Sequence, residues 1–77
     1  MIDYNEIGKR IKKVRRQKGM TQCKLAELAD LSNPYLSQVE TGVKKASLES
    51  LAKISRILDV SLDTLVFGSD ETTDQSK

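Results

Sequence analysis

Residues 33–41 bring amide and hydroxyl side chains together on one face of a predicted helix. At about 100° per residue, Leu36 and Val39 point to one side of this helix. The opposite side carries five residues without formal charge: Asn33, Pro34, Ser37, Gln38 and Thr41. Amides and hydroxyls both donate and accept hydrogen bonds, which suits contacts with base edges in DNA better than contacts with phosphates. The alternative is a polar surface that only faces water, and spacing alone leaves both open.

Gln38 is the strongest single candidate for a base contact. A glutamine amide can form two hydrogen bonds with adenine in the major groove, and Asn33 can do the same near the start of the helix. Pro34 has no polar side-chain group, so it can offer only an apolar contact, for instance with a thymine methyl group.

Two short helices joined by a tight corner must present this face. Thr21 is a typical capping residue for the first helix, and Ser32 is one for the second. Only residues 30–32 separate the helices. Asp30 tolerates the left-handed backbone of a sharp turn, and Leu31 is apolar enough to fill the corner. The stretch therefore predicts a helix-turn-helix, whose second helix can enter a DNA major groove.

Three further helices are predicted around this pair. The first begins at the capping-box pattern Asp3-x-x-Glu6 and extends to about Lys18. The other two occupy residues 47–59 and 61–68, each with a serine as its cap and an apolar stripe. These elements predict an all-α bundle of five helices.

Arg15 and Glu40 are predicted to form an ion pair. Each residue borders the apolar face of its helix, where a charge is partly removed from water and needs a partner. We therefore expect a structural salt bridge between the first and third helices.

The composition fits one small domain over residues 1–68. The chain has 77 residues, of which 38% are hydrophobic and 31% charged, so no large active-site cavity is expected. There is no histidine and a single cysteine, and no helix face collects several carboxylates. We therefore expect no enzymatic activity, no metal site, no cofactor and no small-molecule ligand.

The charge is uneven along the chain. The net charge is +2, with basic residues concentrated in residues 1–18 and acidic ones in residues 69–77. That last segment contains no apolar residue and is predicted to be a disordered polar tail. No apolar run is long enough for a membrane span, the start does not resemble a secretory signal, and the lone Cys23 permits no internal disulfide. We expect a cytoplasmic protein.

The sequence resembles the Cro and phage-repressor (XRE-like) family of helix-turn-helix regulators. Two runs carry the resemblance: Ile7-Gly8-x-x-Ile11-x-x-x-Arg15-x-x-x-Gly19-Met20-Thr21-Gln22-x-x-Leu25-Ala26, and Leu31-Ser32-x-x-x-Leu36-Ser37-x-Val39-Glu40-x-Gly42. Weaker similarity continues to Leu65, so residues 3 to 67 are covered. The combination of Thr-Gln-x-x-Leu-Ala with a Val-Glu-x-Gly ending at this spacing is quite specific.

The resemblance implies a compact bundle of the lambda-repressor-like type that binds operator DNA. It implies a transcriptional regulator, a repressor or autoregulator, that acts as a homodimer on a roughly palindromic site. Such a protein would be associated with the nucleoid of a prokaryote or encoded by a phage. By this resemblance Gln22 contacts a phosphate, Lys44 and Lys45 contact the backbone, and Tyr35 reaches a phosphate through its hydroxyl. Base contacts are implied for five residues: Ser32, Asn33, Pro34, Ser37 and Gln38. Arg15 and Glu40 match a structural salt bridge of the family.

Departures from the family pattern affect specificity and stability. Pro34 removes a side-chain hydrogen bond that many members make, Asp30 and Asp59 replace the usual glycines, and Ala46 stands where proline is common. The last helix supplies the candidate dimer interface, Leu62, Val66 and Phe67. The alternative is that these residues only close the core of the monomer.

A second functional hypothesis is an antitoxin or other module whose main partner is a protein, such as an antagonist or toxin. Leu28, at the edge of the second helix, is the feature that suggests it.

Overall fold

Five α-helices form the part of the chain that the computed structural model describes, residues 2–68. They are α1 (Tyr4–Gln17), α2 (Gln22–Leu28), α3 (Asn33–Thr41), α4 (Leu48–Leu58) and α5 (Leu62–Phe67). No strand occurs in residues 2–68, and none of these helices is long and apolar enough to cross a membrane. The all-α, five-helix prediction is confirmed. The tail predicted to be disordered, residues 69–77, lies outside the described residues.

Each helix begins behind the capping residue that the sequence indicates. The Asp3 carboxylate accepts the backbone N–H groups of Asn5 at 3.0 Å and Glu6 at 3.3 Å. At α2 to α5 a hydroxyl accepts the N–H of the residue three positions further on, at 3.0 to 3.1 Å; these caps are Thr21, Ser32, Ser47 and Ser61. These bonds satisfy N–H groups that have no partner inside the helix. The start of every helix is therefore fixed by local sequence.

Two sharp corners use aspartate in the left-handed backbone region. Asp30 has φ 55° and Asp59 has φ 59°. After each one, an aliphatic residue bonds back to the helix just left and packs against the core: Leu31 N–H donates to the Ala26 carbonyl at 2.9 Å, and Val60 N–H to that of Ser55 at 3.0 Å. The first of these corners sets the angle between α2 and α3, as the sequence predicts.

The hydrophobic core includes the region where α1 packs directly against the C-terminal half of α3. It consists of buried apolar side chains from all five helices, with the largest being Ile7, Ile11, Leu25, Leu36, Val39, Ile54, Leu58 and Leu65. A Cβ atom at Gly8 would lie 2.3 Å from the Val39 carbonyl oxygen and 2.7 Å from that of Glu40. Glycine at this position therefore permits the close contact that orients α3.

Candidate nucleic-acid interface

The outward side of α3 presents the five residues that the helical spacing places there, and the cap residue Ser32, for which a base contact is implied by the family resemblance, is exposed beside them. We call this the α3 polar face; it consists of Ser32, Asn33, Pro34, Ser37, Gln38 and Thr41. All are exposed except Ser37, which is half-buried, while Leu36 and Val39 on the other side are buried at 0% and 2% exposure. The helix is thus divided into a core side and an accessible polar side, which meets the geometric requirement for entering a groove.

The polar groups on this face differ in what they have left to bond. The Ser32 hydroxyl accepts the Tyr35 N–H at 3.1 Å, and the Thr41 hydroxyl donates to the carbonyls of Ser37 at 3.1 Å and Gln38 at 3.2 Å. Within residues 2–68 the side-chain amides of Asn33 and Gln38 form no hydrogen bond. These two amides keep their full donor and acceptor capacity for a ligand.

A buried ion pair fixes α3 to α1 beneath this face. Arg15 Nε donates to Glu40 Oε2 at 2.8 Å, and Arg15 Nη2 donates to Oε1 at 3.1 Å. A third guanidinium nitrogen donates to the Met20 carbonyl at 2.8 Å. Arg15 and Glu40 are only 7% and 5% exposed, so their charges are compensated by each other and by these bonds. The structure places the two residues together, as the salt-bridge expectation requires.

Gln22 joins the same network from the start of α2. Its side-chain Nε2 donates to Glu40 Oε1 at 3.1 Å, and the residue is half-buried. The bond orients the amide at the N-terminal end of α2, where unpaired N–H groups and the helix dipole favour an anion. The link between Gln22 and Glu40 has no signal in the sequence, because it depends on how α2 packs against α3.

The α3–α4 loop, residues 42–47, carries the two lysines expected to contact the DNA backbone. Lys44 and Lys45 are both exposed. The Lys44 backbone N–H donates to the Gln38 carbonyl at 3.1 Å, and Lys45 Nζ lies 5.7 Å from the centre of the Tyr4 ring. The loop that carries these charges is therefore attached both to α3 and to α1.

Tyr35 lies on the flank of α3 and is half-buried against the start of α4. Its hydroxyl donates to Ser50 Oγ at 3.2 Å and accepts the Ser47 backbone N–H at 3.2 Å. Burial raises the pKa of Tyr35, but the ionised oxygen would accept hydrogen bonds from Ser50 and Ser47 and would be attracted by the charge of Lys44, so the pKa lies below its usual value. The single hydroxyl proton that a phosphate contact needs is directed toward Ser50, a residue that the sequence analysis did not single out.

The candidate dimer residues on α5 fall into two groups. Leu62 and Val66 are half-buried and pack against the core, whereas Phe67 is 63% exposed. Arg10 from α1 donates to the carbonyls of Leu65 at 3.1 Å and Val66 at 2.9 Å, which fixes the end of α5 to the bundle. The geometry thus assigns core packing to two of these residues and leaves Phe67 available for a second subunit.

The remaining candidates lie on the surface. Cys23 is exposed, and in the part of the chain that the structure describes no three His, Cys, Asp or Glu side chains are grouped as a metal site would require. Leu28 is 49% exposed at the end of α2.

Comparison with known proteins identifies related sequences. A family model described as Helix-turn-helix matches residues 11–65. The HTH-type transcriptional regulator SinR of Bacillus licheniformis is 43% identical over 67 residues, which is 86% of this chain and 60% of that relative. The chain thus spans about 60% of the length of this curated relative.

Solved structures show the same fold. The crystal structure of SinR, the master regulator for biofilm formation, in complex with DNA has a TM-score of 0.73 and 43% identity, and covers 77% of this chain and 95% of that one. The complex of the SinR and SinI proteins has a TM-score of 0.78 and 42% identity, and covers 88% of this chain and 67% of that one. The fold described above is therefore shared with these proteins over the covered part of the chain.

Proposed function

Because the chain belongs to the helix-turn-helix family, we propose that it is a sequence-specific regulator of transcription, a repressor or autoregulator, that binds double-stranded DNA. The observation that carries the proposal is the α3 polar face, which is accessible along its length and lies above a buried ion pair that fixes its orientation. The SinR–DNA complex supports it, because a relative with the same fold binds DNA.

In this proposal the α3 polar face reads the bases in the major groove. Within residues 2–68 the amides of Gln38 and Asn33 have no hydrogen-bond partner, so each can pair with adenine, while Pro34 offers an apolar contact. Ser32 and Ser37 add hydroxyls near the helix start and middle, and Thr41 can only accept a hydrogen bond unless its hydroxyl leaves the α3 carbonyls. Discrimination is expected to depend mainly on Gln38 and Asn33.

Phosphate contacts are assigned to both sides of this face. Gln22 lies at the N-terminal end of α2, and Lys44 and Lys45 lie in the α3–α4 loop. Such contacts fix the register of α3 along the duplex without carrying sequence information. They make the affinity depend on salt, because each neutralised phosphate releases counterions.

The proposed active form is a homodimer in the cytoplasm on a roughly palindromic operator. Two copies of α3 would enter successive major grooves, about 34 to 36 Å apart, and the bound dimer would block or recruit polymerase. The interface is assigned to the end of α5, where Phe67 is exposed beside Leu62 and Val66.

Selection of bound fragments from random and genomic DNA, sequenced after washing at two salt concentrations, tests this function. We expect a sequence pattern with two-fold symmetry that is retained at the higher salt, since base contacts are less sensitive to salt than phosphate contacts. Recovery of fragments without any shared pattern at either salt concentration would contradict it.

A second candidate function is that of a protein-binding module, such as an antitoxin. The exposed Leu28 at the end of α2 supports it, and SinR, a relative with this fold, forms a complex with the SinI protein. A tight protein partner recovered from the source cells, together with no shift of any genomic DNA fragment, would favour this function over DNA binding.

A further inference from the structure

The cap at the N-terminus of α4 is completed by a residue from another helix. Ser47 is the cap, and its hydroxyl accepts the Ser50 N–H at 3.1 Å. In a complete capping box the third helical residue is a glutamate or glutamine that reaches back to the N–H of the cap. Here the third residue is Ser50, whose Oγ instead accepts a hydrogen bond from Ser47 Oγ at 2.9 Å. The Ser47 N–H therefore needs another acceptor.

Tyr35 of α3 provides that acceptor. Its hydroxyl oxygen accepts the Ser47 N–H, and its proton is donated to Ser50 Oγ, both at 3.2 Å. Ser50 is only 6% exposed, so the proton is directed into the protein. One hydroxyl thus completes the cap of α4 and ties it to the helix that carries the α3 polar face.

This tie closes the α3–α4 loop at its far end. The near end is fixed by Gly42, which caps α3 with a φ of 82°, and the middle by the bond from Lys44 N–H to the Gln38 carbonyl. Lys44 and Lys45 therefore lie on a segment attached to α3 at both ends and once between them. Because ordering a loop costs conformational entropy, a loop held before DNA arrives loses less on binding.

We propose that Tyr35 is a positioning residue that holds the loop with Lys44 and Lys45 in place for the phosphates, rather than a residue that contacts a phosphate itself. This inference rests on the proposed DNA-binding function. A direct contact would require the hydroxyl proton to leave Ser50, since a tyrosine hydroxyl has only one.

Two substitutions separate the two roles of Tyr35. Tyr35→Phe removes the hydroxyl and keeps the ring, and Ser50→Ala removes the acceptor of its proton. If Tyr35 positions the loop, both variants weaken binding to a random-sequence duplex by about two- to tenfold, the effect of one lost hydrogen bond. Ser55→Ala is the matched control, because it removes another buried serine hydroxyl of α4 that bonds only within its own helix, to the Ala52 carbonyl at 2.8 Å. It should leave binding unchanged.

A Lys44→Ala/Lys45→Ala background shows whether Tyr35 acts through the lysines. We expect Tyr35→Phe to cause no further loss there and, in the parent protein, to reduce the salt dependence of binding. If Tyr35→Phe weakens binding while Ser50→Ala leaves it unchanged or tighter, the hydroxyl contacts phosphate directly and the proposal is overturned. It is equally overturned if Tyr35→Phe has no effect on binding, or has its full effect in the double-alanine background.

Amide hydrogen exchange tests the tie without DNA. Tyr35→Phe should speed exchange of the Ser47 amide, and the Lys44 amide should follow, while urea unfolding verifies that each variant is folded at the temperature used. Unchanged exchange at Ser47 would overturn the proposal. If the parent protein binds no duplex at all, the proposed function fails on that measurement alone, and the exchange data still decide whether Tyr35 holds the loop.

Discussion

The amide of Gln38 is exposed on α3 and unoccupied within residues 2–68, whereas the charge of Lys44 lies on the adjoining loop. An amide that pairs with one base edge contributes to discrimination, and an ammonium group near a phosphate contributes to affinity for any sequence. The two residues therefore affect different measurements.

Gln38→Ala is expected to weaken operator binding by about 1 to 3 kcal/mol and to relax the preference at one base pair. Titrations against the selected operator, its single-base variants and random DNA measure this. Lys44→Ala is the matched control: it should weaken binding similarly on every sequence and lower the salt slope by about 1. Equal losses on operator and random DNA for Gln38→Ala would contradict the assignment of a base contact.

Glu40 accepts hydrogen bonds from two other helices, and its side chain is only 2% exposed. Glu40→Gln leaves the Arg15 charge buried without a counter-charge, so we expect a loss of about 3 to 5 kcal/mol in the free energy of unfolding, measured in urea. Glu49→Gln is the matched control. It removes one member of the pair with Lys53 at 3.7 Å on the surface, where Glu49 is 81% exposed, and should change stability by less than about 1 kcal/mol. Similar effects of the two substitutions would contradict the structural role of Glu40.

The packing of α1 against α3 is the contact between helices that determines how the α3 polar face is held. Gly8 lies at this contact, where any Cβ atom would approach the backbone carbonyls of Val39 and Glu40 within 3 Å. Backbone atoms cannot move aside as flexible side chains can, so the two helices would have to separate.

Gly8→Ala is therefore expected to destabilise the fold by about 1 to 3 kcal/mol, although alanine favours an isolated helix by about 1 kcal/mol. Thermal or urea unfolding measures whether the free energy of unfolding falls or rises. Lys12→Ala, on the exposed side of α1, should change stability by less than about 0.5 kcal/mol. A more stable Gly8→Ala variant would mean that α1 and α3 are not in this close contact.

The helices could be predicted from local sequence signals. Most side-chain bonds between helices could not, because they depend on how the helices pack. The helix starts could be predicted because a cap such as Thr21 or Ser32 acts within three residues. The Arg15–Glu40 pair could be predicted because each residue borders an apolar face. The bonds from Gln22 to Glu40 and from Tyr35 to Ser50 join residues 18 and 15 positions apart on different helices, and nothing in the local sequence indicates them.

At the scale of the whole molecule, α5 faces both the core and the outside. Leu62 and Val66 contribute to the core, so substituting them would mix folding with assembly. Phe67 is 63% exposed and extends the same helix, which makes it the informative position for the proposed dimer.

Phe67→Ser is expected to shift the monomer–dimer equilibrium toward monomer in sedimentation equilibrium, while changing the free energy of unfolding by less than about 0.5 kcal/mol per monomer. Leu28→Ser is the matched control, since Leu28 is an exposed aliphatic residue on α2, and it should leave the equilibrium unchanged. If Leu28→Ser dissociates the dimer and Phe67→Ser does not, the subunits meet through α2.

The carboxylate of Glu40, on α3, accepts hydrogen bonds from Arg15 of α1 and Gln22 of α2. Three helices therefore share one buried anion, and α3 cannot loosen alone without leaving the Arg15 guanidinium buried without its counter-charge. On heating, we therefore expect the protein to lose its discrimination between operators in the same cooperative transition in which it unfolds. Below that transition, no folded state that binds DNA without sequence discrimination should be populated.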